Sequence, residues 1–173
     1  TDSMALFQEI GWLRHRRIVS FQGAHGFDGT EAGYGPLKAI GAKNLADETG
    51  QTGPFSIELE KVLAWDPDVI FLDYNGLDLI QEDYASNSEY YEQLTAVQKG
   101  NIYSQISFRS YASNLDLALA DTYYAASVLY PEQFADIDMK EKVSEIFETL
   151  LGDDISEELE EHGYEFGQIT IGK

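Results

Sequence analysis

Between Ser56 and Asn75 the hydrophobic pattern changes period within a few residues. Leu59, Val62 and Leu63 recur at helical spacing. Ser56 is placed to cap that helix, and Glu58 lies near its positive end. Pro67 breaks the pattern, and Val69-Ile70-Phe71-Leu72 follows without a polar residue. Such a run predicts a strand covered on both faces, as parallel strands are. A helix feeding such a strand is half of an α/β unit. In open α/β sheets function gathers beyond the carboxyl ends of the strands, and here that end is Asp73-Tyr74-Asn75.

The rest of the chain alternates in the same way. Ile18-Val19-Ser20-Phe21 predicts a short strand, followed by a loop over 22–30 that holds Gly23, Gly26 and Gly29. Glu31 to Ala42 predicts a helix through Leu37 and Ile40, although Gly33, Gly35 and Pro36 weaken its start. Residues 47–55 read as a Gly/Pro loop, and the polar, tyrosine-rich stretch from Asn75 to Leu94 as short helices. Asn101 to Ser104 predicts a second short strand beyond Gly100, and Ile106 to Ser113 a loop. Asn114 is placed to cap a helix with Leu115, Ala118, Leu119, Thr122, Tyr123 and Ala126 on one face, and Pro131 lies past its end. Asp138 and Glu141 have capping-box spacing, Val143, Ile146, Phe147 and Leu150 form the stripe behind them, and Gly152 suits the end. Ser156 to His162 predicts a short acidic helix. The alternation predicts a compact α/β sandwich.

Composition narrows the function. A chain of 173 residues, 43% apolar and 13% aromatic, fits one domain or one lobe of a larger protein. The net charge of −20 argues against nucleic-acid binding, because phosphate contacts need Lys and Arg. The basic cluster Arg14-His15-Arg16-Arg17 is short and reads as a solvated segment. The absence of cysteine excludes disulfides, thiolate metal sites and a Cys nucleophile. No apolar run approaches the roughly 18 residues of a membrane span. No signal peptide precedes Met4, so any export signal lies outside this chain.

Catalytic motifs find little support. His25 with Asp28 and Glu31 has metal-ligand chemistry, but the spacing matches no zinc motif and the remaining histidines are His15 and His162. There is no Gly-x-Ser-x-Gly elbow and no Walker loop, and the glycine loop at 23–29 lacks the dinucleotide pattern. No catalytic residue, cofactor or resident metal is therefore assigned. A binding face does better. In a parallel sheet the loop after Phe21, the turn at Tyr74-Asn75 and the loop Phe108-Arg109-Ser110-Tyr111 meet along one edge. Arg109 carries a planar fork of donors suited to anionic groups, and Tyr74 and Tyr111 offer flat apolar surface with a polar tip. The same residues also allow a purely structural arrangement, with Arg109 paired to one of the many acids and the tyrosines half-buried.

Several blocks in order carry a family resemblance: Gly23-Ala24-His25-Gly26, Thr30 to Tyr34, Gly41 to Asp47, the helix–strand unit at 56–72, Ser113 to Tyr124, Val128 to Glu132, Phe134 to Asp138, and Gly163 to Gly167. Over about residues 18–170 the chain resembles the C-terminal lobe of ABC-transporter substrate-binding proteins of the iron-siderophore, haem and cobalamin type. The resemblance implies a three-layer α/β sandwich, with a central, mostly parallel sheet flanked by helices over 18–173 and an irregular segment at 1–17. It implies a cleft shared with an N-terminal partner lobe, capture of an iron complex outside the membrane, and delivery to a permease without chemistry. His25, Asp28, Tyr74, Arg109 and Tyr111 match loop positions bordering that cleft. Glu60 matches the first-helix glutamate that docks into permease arginines, a charge-assisted pairing. The partner lobe, the connecting helix and an export signal are not found in the sequence given, and Leu13 to Arg17 is a poor match for the strand that opens such lobes. Three expectations follow: a solute-binding lobe, a self-associating (homodimeric) or protein-docking module that holds no solute, and a small metal enzyme using His25.

Overall fold

A computed structural model describes residues 17–21, 26–110 and 112–172 of the chain. The first strand, β1, is Ile18–Phe21, and β2 is Gly29–Ala32, reached through a single 3-10 turn at Gly26–Asp28. Helix α1 is Gly35–Ala39, and a second 3-10 turn spans Leu45–Thr49. Strand β3, Gly53–Ser56, leads to α2, Leu59–Trp65, and then to β4, Val69–Asp73. After a 3-10 turn at Tyr74–Gly76 come α3, Leu77–Tyr91, and α4, Thr95–Lys99. Strand β5 is Ile102–Gln105, and a small hairpin pairs β6, Arg109–Ser110, with β7, Ala112–Ser113. Helices α5 (Leu115–Leu129), α6 (Met139–Leu151) and α7 (Ser156–Glu161) complete the described chain.

The main sheet has the order β3-β2-β1-β4-β5. β1, β4 and β5 run parallel, and β2 and β3 are antiparallel to their neighbours. Side chains alternate across the sheet, as the two-residue period of a strand requires. Ile18, Val69 and Phe71 face one apolar layer with Leu37, Leu129, Ile146 and Phe147, supplied by α1, α5 and α6. Val19, Phe21, Ile70 and Leu72 face the other, with Val62, Trp65, Ile80 and Ala96 from α2, α3 and α4. This is the three-layer sandwich expected from the sequence. The last described residues extend it: Ile169 N–H donates to the Ile102 carbonyl at 2.8 Å, and Ile169 and Ile171 are buried.

Several local expectations are corrected. Ser56 ends a strand instead of capping a helix; Glu58 holds the N-cap position of α2, with no side-chain cap. The expected loop at 47–55 contains β3, whose Pro54 is tolerated because β3 lies at the sheet edge. Glu31 lies in β2, and the helix expected to begin there starts only at Gly35, with Pro36 in its first turn. The segment after Asn75 forms one fifteen-residue helix with non-helical geometry at Asn87. The loop expected at 106–113 contains the hairpin.

The expected face of α5 is rotated. Its buried residues are Leu117, Ala120, Asp121, Tyr124, Ala125, Ala126 and Leu129, while Leu115 is 73% exposed. An apolar count passes over Asp121, yet that acid lies at the centre of the buried stripe. On α6, Val143, Ile146 and Phe147 are buried, but Leu150 is exposed. Its cap is as expected: the Asp138 carboxylate accepts from Lys140 and Glu141 N–H at 2.9 and 3.2 Å. Gly152 closes it at φ 80°, a conformation glycine adopts without a Cβ clash.

Candidate functional site

The parallel strands β1, β4 and β5 end together at Phe21, Leu72–Asp73 and Ser104–Gln105. Beyond these ends lie the segments that carry the candidate residues. Asp28 closes the turn after β1 and is exposed, and its carbonyl accepts the Ile57 N–H at 2.8 Å. That bond brings the start of α2 to the same edge, with exposed Glu60 in its first turn. Burial raises the Tyr90 hydroxyl pKa, and the Asp28 and Glu60 carboxylates raise it further, so both charges lie near that ring. Gly26, at φ 56°, packs against Ile80, where a Cβ would lie 3.1 Å from the Ile80 side chain. A side chain at residue 26 would crowd Ile80 of α3, and the positive φ there favours glycine.

Tyr74 directly follows β4 and is half-buried against the Tyr164 ring, with centroids 5.7 Å apart. Burial raises its pKa, with Glu165 and Asp78 adding to the shift. A cavity of about 150 Å³ opens beside it, lined by Leu77, Gln81, Ser104, Glu165 and Gln168 among others. The preceding residue, Asp73, is buried and accepts from the Asn75 N–H at 3.0 Å and the Ser107 hydroxyl at 2.5 Å. The latter bond ties the Tyr74 turn to the segment that carries Arg109.

Arg109 begins the hairpin and stands half-exposed over the edge. Its Nη1 donates to both oxygens of Glu31 at 2.6 and 2.7 Å, and its guanidinium carbon lies 4.8 Å from the Phe108 ring centroid. Glu31, on β2, is only 5% exposed. Beneath the hairpin a layer of buried polar groups closes this side of the core. The Ser20 hydroxyl donates to Gln105 Oε1 at 2.9 Å, and Asp121 accepts from the Ile106 N–H at 2.9 Å and the Tyr34 hydroxyl at 3.3 Å. Burial pushes the Asp121 carboxyl well above the usual carboxylate range, and nearby Asp73 adds to the shift.

Of the six candidates, Asp28, Glu60, Tyr74 and Arg109 lie along the carboxyl edge, while His25 and Tyr111 fall outside the described residues. So does the expected irregular segment, apart from Arg17, whose carbonyl accepts the Asp68 N–H at 2.7 Å. Sequence reasoning did not single out Ser107, Gln105 or Asp121. The one available signal was an acid, Asp121, set between Leu117 and Tyr124 on a helix otherwise poor in charge. Among the described residues no group of three His, Cys, Asp or Glu side chains is arranged to hold a metal ion. None of the described helices is long and apolar enough to cross a membrane.

No protein-family model and no curated protein sequence matches the chain. Solved structures do. A periplasmic solute binding protein from Veillonella parvula superposes with a TM-score of 0.65 at 17% identity, covering 91% of this chain and 50% of that one. The molybdate periplasmic binding protein MolA of Haemophilus influenzae gives 0.67 at 17% identity, covering 93% and 47%. Helicobacter pylori CeuE, in a complex with nickel and histidine, gives 0.63 at 17%, covering 87% and 48%. The chain thus has the fold of one half of such binding proteins and spans about half the length of the structures it matches.

Proposed function

We propose that this chain is the C-terminal lobe of the solute-binding component of an ABC uptake system. In this reading residues 18–173 are one lobe, working outside the cytoplasm, and its carboxyl edge forms half of a cleft completed by a second lobe. The solute is an iron complex such as a siderophore, haem or corrinoid, and the lobe delivers it without chemistry. The observation that carries the reading is the Asp73–Ser107 hydrogen bond. It joins the Tyr74 turn to the Arg109 segment at the edge where α/β proteins hold ligands. The similarity in fold to solute-binding proteins supports it. Asp28, Tyr74 and Arg109 contact solute in this reading, with His25 and Tyr111 on the same loops, and Glu60 meets cationic side chains of the permease.

The test is a heteronuclear NMR titration of the chain with gallium-loaded hydroxamate chelate, haem, cyanocobalamin and molybdate. Amide shifts clustered at Asp28, Tyr74 and Arg109 are expected with at least one of them. Shifts confined to other surfaces, or none, would reject the reading.

A second reading has its own observation. Leu79 and Leu115, in the first turns of α3 and α5, are 46% and 73% exposed beyond the same strand ends. A lobe with such an edge is suited to self-association. Light scattering distinguishes the two: a concentration-dependent dimer lost in Leu79→Ser/Leu115→Ser favours self-association, and a monomer at all concentrations favours the solute face.

A further inference from the structure

The segments that converge at the carboxyl edge carry charge of one sign almost throughout. Residues 26–32, 73–79 and 105–116 contain Asp28, Glu31, Asp73, Asp78 and Asp116, against the single cation Arg109. That cation is already engaged by Glu31, with both carboxylate oxygens on one guanidinium nitrogen at 2.6 and 2.7 Å. Glu31 has little freedom to let go. Its strand is registered residue by residue against β3, with Glu31 opposite Pro54, and its own carbonyl accepts from Asn44 Nδ2 at 2.7 Å. Its side chain is 7% exposed, whereas that of Arg109 is 46% exposed.

We propose that Glu31 sets the charge of the solute. By balancing Arg109 it makes this face accept neutral or cationic metal chelates through hydrogen bonds and flat contacts, and turn away free oxyanions and polyanionic chelates. The proposal rests on the reading that the edge is a solute face. An anion that meets the remaining guanidinium donors finds a cation already neutralised by Glu31, and one that draws Arg109 away leaves a buried carboxylate without its counter-charge, a strongly disfavoured state. A neutral chelate makes no such demand, because a guanidinium has five donors and can offer others without leaving Glu31. The buried Asp73 carboxyl beside Ser107 lies on the same side and adds to the repulsion of anions.

The test compares two probes by NMR on the wild-type chain and on Glu31→Gln: molybdate, and a neutral gallium(III) trihydroxamate chelate. The wild type is expected to bind molybdate at least tenfold more weakly than the chelate. Glu31→Gln should tighten molybdate tenfold or more while changing the chelate less than threefold, and adding Arg109→Gln should abolish the gain. Circular dichroism checks that Glu31→Gln folds. If it does not, Glu31→Asp, which draws the carboxylate back from Arg109, should show a gain of a few fold. Equal binding of both probes by the wild type, or an unchanged ratio in the variants, overturns the charge assignment but leaves the solute face standing. No shift at the edge with either probe in any variant overturns the charge assignment, and the solute face falls with it only if haem and cyanocobalamin also give no shift there.

Discussion

The two faces of the sheet end differently at the same edge. On the face covered by α2, α3 and α4, the carboxyl end is closed by aromatic rings: Phe21 stacks on Phe27 at 4.4 Å, and Phe27 meets Tyr91 at 5.3 Å. On the face covered by α1, α5 and α6, it is closed by Ser20, Glu31, Asp73, Gln105 and Asp121, all buried, beneath a hairpin held by one ion pair. Rings need only be packed, so the first side makes a rigid support for the exposed charges of Asp28 and Glu60. Buried polar groups must be partnered, so the second side is held by specific hydrogen bonds. In the proposed function the polar side presents Arg109, and the aromatic side holds Asp28 and Glu60 in place.

The largest effect is expected on the aromatic side. Phe21→Ala removes a fully buried, stacked ring and should cost about 3–5 kcal/mol of stability, read by urea denaturation. A loss below that of the polar-side variants would break the comparison.

On the polar side, Arg109→Ala leaves Glu31 buried without its partner and should cost about 2 kcal/mol, less than a fully buried pair because Arg109 is half-exposed. Glu31→Gln in the same chain should restore most of that loss. A double variant no more stable than the single one would show that Arg109 acts through packing on Phe108 instead.

Asp121 gives a pH-dependent effect. In the unfolded chain it titrates near the ordinary aspartate value of about 3.9, and in the fold burial holds it higher. Between those values the unfolded chain has already released the proton that the folded chain retains. Raising the pH through that window therefore favours unfolding. Asp121→Asn should gain stability over the wild type as pH rises above about 4, and lose that advantage in acid. A difference that does not vary with pH would remove Asp121 from the account.

The smallest effect on stability is expected at Glu60, which is exposed: Glu60→Arg should stay within about 0.5 kcal/mol of wild type. In the proposed function it nonetheless blocks permease docking, measured as loss of solute-dependent ATPase activity in reconstituted transporter. Full ATPase stimulation with Glu60→Arg would remove Glu60 from the docking surface.

Much of the fold was legible because its signals are local. The unbroken apolar run at Val69–Leu72 announced a strand buried on both faces, and Asp138 announced the start of α6. The edge strands were not legible. Gly53-Pro54-Phe55-Ser56 carries turn residues and becomes a strand only because β2 lies beside it. The α5 face departs from its apolar spacing because its buried stripe includes an acid whose partners, Ile106 and Tyr34, are distant in sequence. At the candidate site Tyr74 and Arg109 could be named from their positions after strand ends, but the partner of Arg109 could not.

By itself, then, the sequence determined the layered α/β architecture and the edge at which the candidate residues gather, since hydrophobic period and strand order act over short stretches of chain. Only the tertiary structure decided which of the many carboxylates faces Arg109. Ion pairing depends on separations of a few ångströms between Glu31 and a residue 78 positions away, and no spacing along the chain encodes that distance.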